Sequence, residues 1–559
     1  MEKIFRIFGK EYSNMNQAAL LLGSFAFLSQ VLGLFRDRAI AHFIGPSPTL
    51  DAYYAAFRIP DLIFISIASL VSITVLIPFI LQRMNDGKVT EEAKRFLSDV
   101  FTIFLFTMIV VSFIVFIFMP KIAPLIAPGF SHEMQQRVVD LSRIMLLSPI
   151  FLGLSNLFGS VTQLFKKFFI YSLSPVFYNF GIIAGIIFLY PLWGIAGLAY
   201  GVVFGACMHF LIQLFASSYC GFTPSFSRKI NWKNIRQVFI TSVPRTLGLS
   251  FNNIALIFII SFASFLTSGS ISIFNLSLNL QSVPLGIIGL SYAVAAFPML
   301  TKSYSAGKLE EFKDYINTGA KQIIFWSLPI TFLFIVLRAQ IVRVILGSGS
   351  FSWENTRLVA ASLAIFATSI VAQGLTALFA RAYYAGGNTK RPLLVNFVSS
   401  VSIILFSSVF LYLFREYALF QYFIESILKV SDIPGTEVLM LPLAYSFGTI
   451  INCLILGFFV KKDFMRERVF ISKAFFQSLA ASFFLGLVTY LSLNAFAGVF
   501  SNETFFGVLF EGLISGVFGI LAGGIVLYLF KNEQLFDLIN TLRTKFWKAK
   551  IIISEEEGL

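Results

Sequence analysis

Apolar residues run along this chain in continuous blocks of about twenty or more, from near Gln17 to near Phe530, with short polar stretches between them. A helix needs about twenty such residues to cross a hydrocarbon core of ~30 Å. Only helices and closed barrels satisfy their backbone polar groups inside lipid. Barrel strands alternate apolar and polar positions, and these blocks do not. The pattern predicts an all-α polytopic membrane protein with about fourteen transmembrane helices. They fall at roughly 17–44, 50–82, 93–119, 138–165, 169–190, 193–218, 236–264, 270–301, 315–337, 357–384, 392–414, 440–460, 472–496 and 505–530. Several exceed a straight crossing, which predicts tilt, kinks or extension past the bilayer.

The polar stretches between blocks alternate in charge. Arg83, Lys88, Lys94 and Arg95 fill one; Lys166 and Lys167, then Arg228, Lys229, Lys233 and Arg236, fill later ones. Lys302, Lys308 and Lys313, then Lys390 and Arg391, then Lys461, Lys462, Arg466, Arg468 and Lys473 continue the series. The intervening stretches are poorer in lysine and arginine. By the positive-inside rule both termini are expected in the cytoplasm. The N-terminal Lys3, Arg6 and Lys10 precede the first block like the charged region of a signal peptide. No small-residue cleavage site follows, so an uncleaved first helix is expected.

Certain marks recur at a fixed distance. Pro78 and Pro298 lie 220 residues apart, as do Gly87-Lys88 and Gly307-Lys308. Pro60 with Pro284, and Pro175-x-x-x-Asn179-Phe180 with Pro392-x-x-x-Asn396-Phe397, keep nearly the same offset. Two halves of six helices each follow, and an even number inserts both halves the same way round. The expected division is 1–225 for the first lobe, 226–465 for the second, 466–531 for two added helices and 532–559 for a tail. In the tail, Leu535, Phe536, Ile539, Leu542 and Phe546 recur at helical spacing beside Arg543, Lys545, Lys548 and Lys550. That suits either a helix lying on an anionic leaflet or one packed on the protein.

Composition narrows the function classes. Charged residues are 13% of the chain, against about 25% in soluble proteins. The net charge of +14 sits in the loop clusters, so no nucleic-acid partner is inferred. Cys207, Cys220 and Cys453 are scattered, and His42, His132 and His209 are isolated. No metal spacing, catalytic constellation or Walker A motif appears. The expectation is a transporter rather than an enzyme, without cofactor or metal, driven by a gradient, the membrane potential or substrate supply.

One stretch breaks the apolar rule. Between Ser29 and Asp61 the chain carries Arg36, Asp37, Arg38, Asp51, Arg58 and Asp61 around a Gly45-Pro46-Ser47-Pro48 turn. Charge inside a span costs roughly 2.5–3.5 kcal/mol per residue on insertion scales, so it faces a cavity or a partner. At 1.5 Å per residue Arg36 lies about 28 Å from Gln17, near the outer end of helix 1. Arg58 lies about 10 Å inside the outer end of helix 2. Asp51 and Arg58 are two turns apart and share a face; Arg58 and Asp61 are neighbours. Pro60 is expected to kink helix 2 beside them. Two readings stand. The charges form ion pairs holding helices 1 and 2 together, or the guanidinium forks hold an anionic group, phosphate above all. Arg38 reads as a headgroup or interface residue.

These residues resemble the MurJ/MviN lipid II flippases of the MOP exporter superfamily. The resemblance rests on Ser29-Gln30-Val31-Leu32-Gly33-Leu34-Phe35-Arg36-Asp37, on Leu50-Asp51-Ala52-Tyr53, and on Arg58-Ile59-Pro60-Asp61. Pro244-Arg245-Thr246-Leu247-Gly248-Leu249 resembles the family's start of helix 7. Arg381-Ala382-Tyr383-Tyr384-Ala385, leading through Asn388-Thr389 to Pro392, resembles a later stretch. The resemblance implies two parallel six-helix lobes in a V shape, with helices 13 and 14 forming a lipid-facing groove. It implies an undecaprenyl-diphosphate-linked peptidoglycan precursor as substrate, moved to the outer leaflet of the bacterial cytoplasmic membrane. Membrane lipids and the cell-wall synthesis machinery are the other implied partners. Substrate-binding residues on this reading are Arg36, Asp37, Asp51, Arg58, Arg245 and Asn279. The chain departs from the family where Gln30 and Asn279 stand in place of arginines, where Phe64 and Ile65 stand in place of an arginine pair, and where Ser69 stands in place of an acid. An exporter of another polyprenyl-linked saccharide or small molecule, or a non-transporting scaffold, are the alternatives.

Overall fold

A computed structural model describes residues 15–68, 73–85, 88–222, 225–465, 472–501 and 504–546. Both chain ends, Ser69, and the tail beyond Phe546 lie outside the described residues, and with them the first three lysines and arginines. Among the described residues the architecture is helical, apart from a hairpin in which Met84–Asn85 pairs antiparallel with Lys88–Val89.

Helix α1, Met15–Phe43, ends in a turn where Gly45 takes a positive φ of 63°. A side chain there would also collide with the Ser350 carbonyl. Ser47 then caps α2, Pro48–Ala56, by accepting from Leu50 N at 3.3 Å, and Pro48 fills the first helical position. The second crossing continues as α3, Arg58–Ile63, a π-turn at Phe64–Ala68, and α4, Ile73–Leu81. Pro60 supplies no N–H for the Ala56 carbonyl. Ser142 Oγ donates to it instead at 3.1 Å, which keeps the backbone satisfied inside the membrane.

Helix α5, Glu91–Ile126, starts on a Thr90 cap with Glu91 and Glu92 in its first turn, where the helix dipole favours acids. It is followed by α6, His132–Met145, α7, Leu147–Leu164, α8, Phe168–Ala184, a π-turn at Gly185–Leu189, and α9, Tyr190–Trp193. Helix α10, Ile195–Tyr219, crosses α8 at glycines. A Cβ at Gly181 would strike Gly205, and one at Gly185 would strike Gly201. Small residues let the two backbones touch, as membrane helices without a hydrophobic drive require. The remaining helices are α11, Trp232–Ala263, α12, Ser270–Pro284, α13, Ser291–Ser305, α14, Leu309–Val336, α15, Arg338–Leu346, α16, Trp353–Ala367, and α17, Ile370–Ala385. After them come α18, Lys390–Glu416, α19, Ala418–Leu428, α20, Met440–Phe464, α21, Ser472–Phe496, α22, Phe505–Leu529, and α23, Glu533–Phe546.

Among the described residues eleven helical segments are long and apolar enough to cross a membrane, or twelve with α16 and α17 taken as one broken span. The two other expected crossings are α1, with its three charges, and the series α2 to α4, in which no single helix reaches eighteen residues. The fourteen expected spans are therefore approximate as a count, and the polytopic helical class holds.

The chain packs as two compact units. One comprises Met1–Val283, Val342–Ser369 and Gly387–Leu456; the other comprises Pro284–Ile341, Ile370–Gly386 and Gly457–Leu559. The first has a core of Leu76, Phe79, Phe96, Phe101, Leu157, Phe158 and Phe222, with the Phe158 ring against Phe101, Phe210 and Phe222. Part of the phenylalanine content packs in such cores, and many other rings, such as Phe113, Phe188 and Phe506, face outward. In the second, α22 lies on α21 through Gly519 and Gly523, which meet Thr489 and Leu485.

The repeat marks have structural counterparts. Asn179 Nδ2 donates to the Ser29 carbonyl of α1 at 3.3 Å, and Asn396 Nδ2 donates to the Gly248 carbonyl of α11 at 3.3 Å. The two asparagines thus tie α8 to α1 and α18 to α11. Pro60 and Pro284 are both followed by π-turns, at Phe64–Ala68 and Leu285–Leu290.

Candidate functional site

The charged stretch opens on a cavity of about 210 Å³ inside the first unit, lined by Arg36, Asp37, Tyr53, Tyr54, Arg58, Asp61, Tyr178, Asn275 and Asn279, with apolar walls from Ile40, Phe57, Ile182 and Leu278. Helices α1, α2, α3, α8 and α12 each contribute. Four of the six residues expected from the sequence meet here: Arg36, Asp37, Arg58 and Asn279.

Arg36 is held from two sides. Its Nε and Nη2 donate to Asp37 Oδ1 at 3.0 and 2.8 Å, and its Nη1 donates to Asn179 Oδ1 at 3.3 Å. Asn179 is fixed in turn, because its Nδ2 donates to Ser29 Oγ at 3.1 Å and to the Pro175 carbonyl at 3.2 Å. The guanidinium therefore reaches the cavity in one orientation, with N–H groups to spare from its five.

Arg58 is more deeply buried and less satisfied. Its Nη2 donates to Asn275 Oδ1, and Asn275 Nδ2 donates to the Ile271 carbonyl at 2.7 Å. Its Nε is buried with no partner, and so is the hydroxyl of Tyr54, one helical turn away. Buried polar groups without a partner are uncommon and expensive. Both donors lie on residues that line the same cavity.

Asp51 does not line the cavity. Its carboxylate accepts from Gly269 N at 2.6 Å, from Ser272 N at 2.8 Å and from Ser272 Oγ at 2.6 Å. It thereby caps α12 from the second crossing, a favourable place for an anion at a helix N-terminus. The backbone of Arg245 belongs to α11, and its side chain lies outside the described residues. Arg38 leaves the site, donating from Nη1 to the carbonyls of Val344 at 2.6 Å and Ile345 at 3.2 Å. Phe64, where the family carries an arginine, packs against the apolar core. The simple ion-pair reading does not describe these contacts: Arg36 pairs with its own neighbour, while Arg58 and Asp51 both reach α12.

Two arginines and two aspartates line the cavity, a formal charge of zero. Its capacity to take an anion rests on directed donors rather than on an excess of positive charge. Sequence reasoning missed Tyr53, Tyr54, Tyr178, Asn179 and Asn275 as participants. Asn275 and Asn279 recur at i, i+4, but α12 also carries Ser270, Ser272, Ser277, Gln281 and Ser282, so the pair does not stand out in the sequence.

A family model described as "Lipid II flippase MurJ" matches residues 40–511, most of the chain. The chain belongs to the MurJ family. Among its relatives, a probable lipid II flippase MurJ of Buchnera aphidicola is 30% identical over 394 residues, covering 69% of this chain and 76% of that one. The lipid II flippase MurJ of Burkholderia cenocepacia is 25% identical over 387 residues, covering 68% and 75%. Among solved structures, a lipid II flippase MurJ in an inward closed conformation matches with a TM-score of 0.73 at 23% identity, covering 93% of this chain and 100% of that one. An inward-facing multidrug resistance MATE transporter of the MOP superfamily matches at 0.62 with 16% identity, covering 78% and 95%. Those two likenesses concern the fold. Membership in the MurJ family accounts for the polytopic helical architecture.

Proposed function

We propose that this chain carries lipid II, an undecaprenyl-diphosphate-linked disaccharide-peptide, from the cytoplasmic to the outer leaflet of the bacterial cytoplasmic membrane for peptidoglycan synthesis. The observation that carries the reading is the pair of unmet donors, Arg58 Nε and Tyr54 Oη, beside the oriented Arg36 fork in one cavity. A diphosphate presents acceptor oxygens, and charge-assisted bonds to it are about twice as strong as neutral ones. The protein is a transporter that makes and breaks no covalent bond, and translocation draws on the membrane potential or an ion gradient. Alternation of lysine-rich and lysine-poor loops supports cytoplasmic termini.

The lobes 1–225 and 226–465 would rock against each other in alternating access, with the lipid tail along α21 and α22. Outward-facing apolar side chains on α22, such as Phe506, Leu521 and Ile525, are compatible with that groove. Bonds from Asp51 and Arg58 join the second crossing to α12 beside the cavity. Asn279 faces the headgroup, and Arg245 supplies a further cation. The cell-wall synthesis machinery would receive the product.

Complementation tests the reading. A host depleted of its own flippase, supplied with this chain, is expected to grow. Arg36→Ala, checked for membrane insertion, is expected not to support growth. Growth untouched by both Arg36→Ala and Arg58→Ala discards the site. Purified protein in vesicles with labelled lipid II gives the same comparison where host partners do not match.

A further inference from the structure

Helix α19 is built the wrong way round for water. Leu419, Tyr422, Phe423 and Ile427 recur at i, i+3, i+4 and i+8, which places them on one face. They are 81%, 67%, 56% and 59% exposed. The acid of the helix points inward instead: Glu425 is buried, accepting from Thr436 Oγ1 at 2.6 Å and from Gln421 Nε2 at 3.0 Å. Behind the helix lies a polar cavity of about 560 Å³, with Arg415, Gln421, Glu425 and Glu437 in its lining. The apolar face is therefore no part of a core.

We infer that α19 lies in the bilayer interface and that its outward face is covered by lipid. The chain on either side fixes its depth. Helix α18 runs from Lys390-Arg391 to Glu416, and α20 runs back to Lys461-Lys462, both as membrane-spanning segments. One residue separates α18 from α19, so α19 starts where a span ends, on the membrane face opposite those basic clusters. At eleven residues it is about 16 Å long, too short to cross and suited to lie flat. Its orientation is pinned by its connection to α20: Arg357 donates to Asp432 through Nη1 and Nη2, each at 2.6 Å, and Arg415 Nη2 donates to Glu437 at 2.9 Å. Tyr417 and Tyr422 suit the headgroup layer, where an aromatic ring with a polar tip is favoured.

Spin labels at single cysteines test this, in full-length protein lacking Cys207, Cys220 and Cys453 and reconstituted in phosphatidylethanolamine–phosphatidylglycerol vesicles. Labels at Leu419, Phe423 and Ile427 are expected to collide with oxygen at least threefold more than with a water-soluble nickel chelate, relative to a label at Asp432. Nickel accessibility at those three positions equal to that at Asp432 overturns the proposal, since the face then meets water. Immobile labels shielded from both reagents overturn it in favour of a protein partner. Hydroxyl-radical footprinting of the unaltered chain reads Tyr422 and Phe423 without any substitution. Protection of both rings in vesicles supports lipid cover, and full oxidation in vesicles overturns it.

Discussion

Asp51 and Arg58 lie two helical turns apart, are both about nine-tenths buried or more, and both reach α12, yet they are treated oppositely. Asp51 accepts from three donors at 2.6–2.8 Å, two of them backbone amides at the start of α12. Among the described residues Arg58 has a single hydrogen-bond partner, Asn275, a bare Nε, and a bare Tyr54 hydroxyl as its neighbour. Desolvating a charge is repaid only when its hydrogen-bonding capacity is met. The Asp51 cluster is complete within the chain, so its work is to hold α2 on α12. The Arg58 cluster is incomplete among the described residues, and on the proposed function an acceptor of the substrate would complete it. Hydrogen-bond accounting thus separates two buried charges that sequence position groups together.

The largest expected effect comes from the incomplete cluster. Arg36→Ala and Arg58→Ala should each lower lipid II translocation roughly ten- to hundredfold, since a bond to a charged group is worth about 1.5–3 kcal/mol. Translocation in vesicles measures it, with insertion and melting followed in parallel. Normal transport by Arg58→Ala would move that cluster into the same class as Asp51.

Asp51→Ala attacks the complete cluster and should act on stability. Loss of the cap and its charged bonds is worth about 2–3 kcal/mol, read as a lowered melting midpoint in detergent. The extra stabilisation on adding undecaprenyl diphosphate should survive in the folded fraction. A variant that melts like the parent and ignores the ligand would reverse the assignment.

Tyr54→Phe sharpens the contrast, because it removes a hydroxyl that has no partner. The empty protein should be unchanged or more stable by up to about 1 kcal/mol, while undecaprenyl diphosphate binds about three- to tenfold more weakly. Titration followed by melting shift separates the two. A destabilised empty protein would mean that the hydroxyl is already satisfied.

Asn179→Ala should have the smallest effect. It leaves the Arg36–Asp37 pair intact and removes the outer support of the fork together with the Asn179 bonds to Ser29, worth about 1 kcal/mol or severalfold in transport. No change in transport would show that Asp37 alone orients Arg36.

What could be read early had a physical reason to be local. An apolar block of about twenty residues is sufficient for a membrane helix, so class and approximate number followed from pattern. Charge among such blocks is expensive enough to mark Arg36, Asp37 and Arg58 without any structure. Asn179 and Asn396 were visible as repeat marks, though their bonds to α1 and α11 were not. Tyr54 and Asn275 were silent, because a tyrosine or an asparagine in an apolar helix is equally at home in packing.

The sequence by itself determined the polytopic helical class, the rhythm of the loops and the place where charge enters the apolar blocks. These depend on composition within a span and on spacing along it. Only the tertiary structure decided that Asp51 caps α12 from 218 residues away, that Arg38 turns to the carbonyls near Leu346, and that Phe64 packs half-buried against the core. A buried charge is structural or functional according to the partners that reach it, and those partners come from other helices whose approach no local pattern records.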